Sequence, residues 1–237
     1  LTDDFIAYLS DYVAALNARH GRGVPSEDNA AVLLWQLGHE PVSEEYLVKL
    51  YREWEIPPPA DEHPLVIWLS KVKGNEVKGD DEIWQLFNVE QRAAMDRPWN
   101  PAELPRIAAW IEANEGALAL AKEAAVRPGY YFPLIVEQEQ TLLERPLDPR
   151  LAHLREVARL FKARAMLRSQ EGEYDRAWDD LLTLIRLGRH LAKGAQLIDV
   201  TMGITLEGIA WGGLIVLLEH AQLSKQQALA WLQELQK

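Results

Sequence analysis

Two places in this 237-residue chain carry side chains suited to chemistry. The first is Arg127-Pro128-Gly129-Tyr130-Tyr131-Phe132-Pro133. Its prolines and glycine break any helix, and the turn offers one cation and two phenols. Arg127, Tyr130 and Tyr131 suit the binding of a peptide or a sugar. A packed connector between subdomains uses the same residue types. The second is Glu207, the one charge between Val200 and Leu218. A carboxylate on so apolar a stretch is either held by an arginine or kept for function. Pairing is the commoner outcome, and Arg164, Arg168, Arg186 and Arg189 are the candidate partners.

Other chemistries are narrowed by what is missing. The chain has no cysteine, which excludes disulfides, thiolate zinc sites and a cysteine nucleophile. Its six histidines, His20, His39, His63, His153, His190 and His220, show no ligand spacing. No metal or cofactor is therefore expected. No nucleophile elbow, phosphate-binding glycine loop or dinucleotide motif is present. Arg155, Arg159 and Lys162 form a basic stripe that could hold phosphate or an acidic peptide. A solvated face, or pairing with acids such as Asp175, Asp179 and Asp180, is the commoner use.

These residues must be positioned by helices. Apolar residues recur at helical spacing, and no strand pattern stands out. Val66-Ile67-Trp68-Leu69 and Leu134-Ile135-Val136 read as buried helical or extended segments. A first helix is expected over 2–19, with Phe5, Leu9, Tyr12, Val13 and Leu16 on one face. Ser26 and Ser43 read as caps of the next two. Pro57, Pro58 and Pro59 force an extended connector. A short helix is expected from Pro64, a polar loop over 74–79, and two short helices over 80–87 and 89–95. Asn100-Pro101 is a cap followed by proline, so a helix should run from there to Val126. Asp148-Pro149 repeats that start. Four helices are then expected, over 149–170, 173–192, 196–219 and 225–236, punctuated by Gly172, Gly194 and Ser224.

Gly172 and Tyr174 mark a tight turn, after which Ala177, Leu181 and Leu184 recur at helical spacing. This resembles the second half of a tetratricopeptide hairpin, although no second copy follows at a period of 34. The resemblance implies an all-α fold of antiparallel hairpins, packed as a tetratricopeptide-like array or an irregular bundle. The expected division is an acidic helical subdomain over 1–97 and a hairpin subdomain over 98–237, which can also form a single domain.

The net charge is −11, and it lies entirely in the first half. Residues 1–115 hold 21 acidic and 10 basic side chains, whereas residues 116–237 hold 15 of each. That argues against a nucleic-acid partner, which needs a basic face. Nine tryptophans spread along the chain read as large core units. Val200–Leu218 is long enough for a membrane span and carries Gly208 and Gly212 in a G-x-x-x-G spacing. Its acidic flanks and central Glu207 favour a buried bundle helix.

A set of segments stands out along the chain: Asp28-Asn29-Ala30-Ala31, Arg97-Pro98-Trp99, Trp110-Ile111-Glu112-Ala113-Asn114-Glu115 and Arg127-Pro128 with Tyr130-Tyr131. Ala163-Arg164-Ala165-Met166-Leu167-Arg168, Ala177-Trp178-Asp179-Asp180-Leu181-Leu182 with Arg189, and Glu207-Gly208-Ile209-Ala210 complete the set. Together these segments resemble a family of helical proteins from planctomycete bacteria with no assigned activity. The resemblance implies an exported or periplasmic helical domain, with a membrane anchor upstream of Leu1. It also singles out Glu112, Asn114, Glu115, Arg127, Tyr130 and Glu207.

Two main functions follow as expectations, beside a weaker reading as a membrane-associated protein through Val200–Leu218. The first is a non-enzymatic scaffold that binds a peptide or protein partner in a groove between hairpins. The second is a hydrolase, or a binder of a small sugar or peptide. As a hydrolase it would use Glu112, Glu115 and Glu207 as acid and base, with Arg127 and Tyr130 holding substrate. It requires at least two of these carboxylates to converge on one pocket.

Overall fold

Helix punctuation in the second half of the chain translates directly into structure. A computed structural model describes residues 3–21, 23–59, 64–72, 81–137 and 149–236. Among them are α1 (Asp3–His20), α2 (Ala30–Leu37), α3 (Glu44–Glu53), α4 (Asp81–Asp96) and α5 (Pro105–Ala113). There follow α6 (Glu115–Val126), α7 (Leu151–Gln170), α8 (Tyr174–Leu191), α9 (Leu197–His220) and α10 (Lys225–Leu235). No strand occurs among the described residues, and the fold is all-α.

The turn between α7 and α8 has the expected form. Gly172 takes a left-handed φ of 74°, which an L side chain adopts only with strain. The Glu173 amide reaches back to the Arg168 carbonyl and closes the end of α7. Ala177, Leu181 and Leu184 are fully buried, and α8 packs on α7. α9 then packs on both α7 and α8, making a three-helix layer. It crosses α8 where Gly188 meets Gly203: a Cβ on Gly203 would lie 2.5 Å from the Gly188 carbonyl oxygen. α10 docks on α8 through Trp231, whose ring stacks on Trp178 at 4.7 Å. α2 and α6 pack against each other, and α6 joins them to α7 and α8.

The first half departs from the expected boundaries at four points. Asn29 rather than Ser26 caps α2, its Oδ1 accepting from the Ala31 amide, while Ser26–Asp28 form a single 3-10 turn. No helix starts at Pro64; the chain runs extended to a 3-10 turn at Leu69–Lys71. One helix, α4, replaces the two expected over 80–95. The helix expected from Asn100 to Val126 is two helices after one capped turn. Asn100 does accept from the Glu103 amide. Pro105, however, pushes Leu104 out of helical geometry (φ −126°, ψ 64°), so α5 starts only there. α5 then stops at Asn114, whose side chain is engaged elsewhere.

Ser43 caps α3 as expected, accepting from the Tyr46 amide. Tyr12 is half exposed rather than on a buried face. The side chains of Phe5 and Leu9, the loop over 74–79 and the Asp148 cap lie outside the described residues.

Three buried asparagines hold the extended segments in place of a sheet. Asn114 accepts from the Ile67 amide at 2.7 Å and donates to the Ile67 carbonyl at 2.9 Å. Asn29 makes the same two-way pair with Tyr131, both at 2.8 Å. Asn17 makes it with Leu134, at 2.8 and 3.0 Å. Each amide side chain does what a neighbouring strand would do, so 66–68 and 129–136 satisfy their backbone inside the protein without a ladder.

Candidate functional site

The residues singled out by sequence go to separate places. Glu112 is exposed at the end of α5, and Glu115 begins α6. The break at Asn114 falls between them, so they are not an i, i+3 pair on one helix. Glu115 accepts from Arg164 Nη1 at 2.7 Å. Arg164 also grips the fully buried Asp180 bidentately, at 2.8 and 3.1 Å, and Arg168 reaches the same carboxylate at 2.6 Å. Burial opposes the charge on Arg164, but Asp180 and Glu115 outweigh it and raise its pKa. This cluster staples α6, α7 and α8 together. It also shows where the expected partners of Glu207 went. Arg186 pairs with Glu234, and Arg189 donates to the Leu235 carbonyl. Glu207 is half-buried, lies over Gly188, and has no ion pair among the described residues.

The 127–133 segment is packed. Arg127 donates to the Ser26 carbonyl at 3.1 Å and to Glu123 at 3.0 Å. Tyr130 is buried, and its hydroxyl accepts from Arg150 at 3.1 Å. Arg150 is itself fully buried, 3.3 Å from Asp199 and 3.5 Å above the Phe132 ring. Tyr131 donates its hydroxyl to Glu53 at 3.0 Å; burial, then the adjacent carboxylate, pushes the phenol's pKa up. In the basic stripe, Arg159 pairs with Glu156 and Lys162 lies 3.9 Å from Asp96. Asp175 instead binds Gln227 and Trp231 of α10. No two of Glu112, Glu115 and Glu207 share a partner.

A cavity of about 630 Å³ opens elsewhere, between α2, α3 and the prolines that follow α3. Its walls include Val32, Trp35, His39, Pro41, Tyr51, Ile56, Pro57, Pro59, Pro64 and Leu65. Trp35 is the floor. It stacks on His39 at 3.7 Å and meets Trp54 and Phe132 edge-on or tilted. Trp54 Nε1 in turn donates to the Tyr131 carbonyl, which ties this floor to the 127–133 segment. Gly38 ends α2 at φ 139°, and a Cβ there would fall 2.4 Å from the His153 ring. Only glycine lets the chain turn over His153 into the cavity wall. His153 is buried, its Nδ1 makes no hydrogen bond, and burial lowers its pKa. Among the described residues its lining is apolar and aromatic, with Gln36 and His39 as the polar side chains. That suits an apolar side chain held by packing, with one or two polar contacts for orientation.

A smaller cavity of about 210 Å³ lies beside α4 and α7, lined by Trp68, Phe87, Gln91, Glu156 and Arg159 among others. Burial raises the pKa of Glu156, against the pull of Arg159 at 2.5 Å. Among the described residues it is the one carboxylate lining that cavity. Among the described residues no cluster of His, Asp and Glu is arranged to hold a metal.

The cavity residues were visible in the sequence only as core tryptophans and a proline connector. The available signal was Pro41, Pro57, Pro59 and Pro64 bracketing an aromatic-rich helix pair. No family model matches the chain, and no curated protein or solved structure matches it.

Proposed function

We propose that this chain is a non-enzymatic helical scaffold that takes an apolar side chain of a peptide or protein partner into the cavity over Trp35. The Gly172 hairpin is, in this reading, one tetratricopeptide-like unit of the frame behind it. The observation that carries the reading is the cavity itself, about 630 Å³ with tryptophan, tyrosine and proline walls. Rigid aromatic and proline surfaces lose little entropy on binding and favour extended, apolar peptides. The hydrolase alternative finds less support: among the described residues Glu112, Glu115 and Glu207 have separate surroundings, and Glu156 is the one carboxylate lining its cavity.

The test is selection from a displayed random peptide library, followed by titration of the selected peptides. Leu65 is 46% exposed on the cavity rim, so Leu65→Glu should preserve the fold and weaken binding at least about tenfold. Glu112→Gln, away from the cavity, should leave binding unchanged. Peptides whose affinity ignores Leu65→Glu would sink the cavity assignment.

A further inference from the structure

We infer that the outer face of α9 is a homodimer interface, on which two copies pack this helix against itself, antiparallel and centred between Glu207 and Gly208. The inference is independent of the cavity over Trp35.

α9 presents apolar residues on two opposite sides. The inner side, including Leu206, Ala210, Leu214 and Leu217, is buried against α7 and α8. The outer side carries Leu197, Ile204, Trp211 and Leu218, each seven residues from the next, with Gly208 and Ile215 between them. That is the 3.5-residue period of a coiled-coil seam. These side chains are open to solvent to large degrees: Leu197 is 83% exposed, Ile204 67%, Ile215 60%, Leu218 50% and Trp211 43%. Their exposed parts amount to roughly 600 Å² along one helix, at the upper limit of what monomers leave open and most of the ~800 Å² per partner of a stable interface.

Gly208 is the second observation. Gly203 and Gly213 are required by close contacts with α8, but a Cβ on Gly208 would meet nothing within 4 Å. A mid-helix glycine costs about 1 kcal/mol relative to alanine, and the fold of one copy gives no reason for it. A second backbone crossing at that point does.

The seam selects its own copy as occupant. Reversed about the midpoint between Glu207 and Gly208, it sets Leu197 against the partner's Leu218 and Ile204 against the partner's Trp211. An isologous two-fold contact repeats every such match. The ends agree in charge as well. Lys193, just before α9, and Glu219, in its last turn, are exposed and form no ion pair among the described residues. The antiparallel arrangement brings each beside its opposite. A membrane surface is the poorer match: α9 has the length and apolarity for one, yet no Lys or Arg lies between Lys193 and Lys225.

The chain has no cysteine, so one can be placed at will. Sedimentation of the unmodified chain should give twice the 27.0 kDa mass in the micromolar range. Gly208→Cys should oxidise to a disulfide dimer at least about tenfold faster than Gly116→Cys, an open position on α6. Ile204→Glu with Ile215→Glu should give a monomer with unchanged circular dichroism and abolish the Gly208→Cys cross-link. A monomeric unmodified chain whose Gly208→Cys variant cross-links no faster than Gly116→Cys overturns the proposal. So does a monomer that binds phosphatidylcholine vesicles through this face.

Discussion

At the scale of single residues, three buried asparagines replace missing backbone partners. Asn17, Asn29 and Asn114 each pair with one extended residue, and none touches the cavity. Asparagine in a sequence reads as a cap or a turn, because those uses are local. A two-way pair with Leu134, 117 residues away, leaves no local trace. His190 is different in kind: it is buried, stacks on Tyr130 at 6.2 Å, and has an Nδ1 without a hydrogen bond. Burial, and then Lys193, lower its pKa from 6.5 to about 4, despite backbone hydrogen bonds to Ala125 and Arg127. The unfolded chain therefore binds a proton near pH 6.5 that the folded chain refuses until about pH 4. Stability is full above that window and falls as the pH drops through it, by at most about 3 kcal/mol. His153, also lowered by burial, acts in the same direction. Urea unfolding at pH 7.5 and pH 5 should show a smaller drop for His190→Gln than for the parent. An equal drop in both would mean that His190 is not the group that resists protonation.

At the scale of elements, legibility tracked how local the cause was. The four C-terminal helices match their expected bounds to within two residues, since Gly172, Gly194 and Ser224 end or cap them by short-range geometry. The 101–126 region split because Pro105 acts on Leu104, a local effect that the Asn100-Pro101 signal obscured, and because Asn114 binds Ile67, a distant one. The cavity was legible only as core tryptophans and a proline connector, because Trp35, Pro57 and Leu65 meet only in three dimensions. The α8–α9 crossing gives a direct test of element packing. A Cβ on Gly203 would lie 2.5 Å from the Gly188 carbonyl oxygen and 3.0 Å from the Ala192 nitrogen, both backbone atoms that cannot step aside. Gly203→Ala gains helix propensity of about 1 kcal/mol, but forcing two packed helices apart costs about 1–3 kcal/mol or more. The steric term should dominate and lower the melting temperature by several degrees. Gly208→Ala, with open space around its Cβ position, should show no such loss in a monomer; a stabilised Gly203→Ala would mean that the helices cross less closely.

At the scale of the whole molecule, the question is whether the acidic first half folds by itself. The contacts across residue 97 are those of a shared interior. Ala31 and Leu34 of α2 belong to one continuous buried cluster with Leu118 of α6 and Phe161 of α7. The cavity floor hangs on the 129–136 segment through Trp54, and that segment is held by Asn17 and Asn29 from the other side. Trp99 donates to the Ala163 carbonyl, pinning the 97–100 stretch to α7. Removing either half would expose these apolar faces and strand the buried asparagine amides, each worth about 1–3 kcal/mol when left unpaired. Partial unfolding is then nearly as costly as complete unfolding, which is the condition for a cooperative transition. Tryptophan fluorescence, which samples both halves through Trp35, Trp54, Trp178 and Trp231, should change at the same urea midpoint as far-ultraviolet circular dichroism. Two separated midpoints, or a folded fragment spanning 98–237 alone, would instead establish that the acidic half is an independent unit laid over the hairpins.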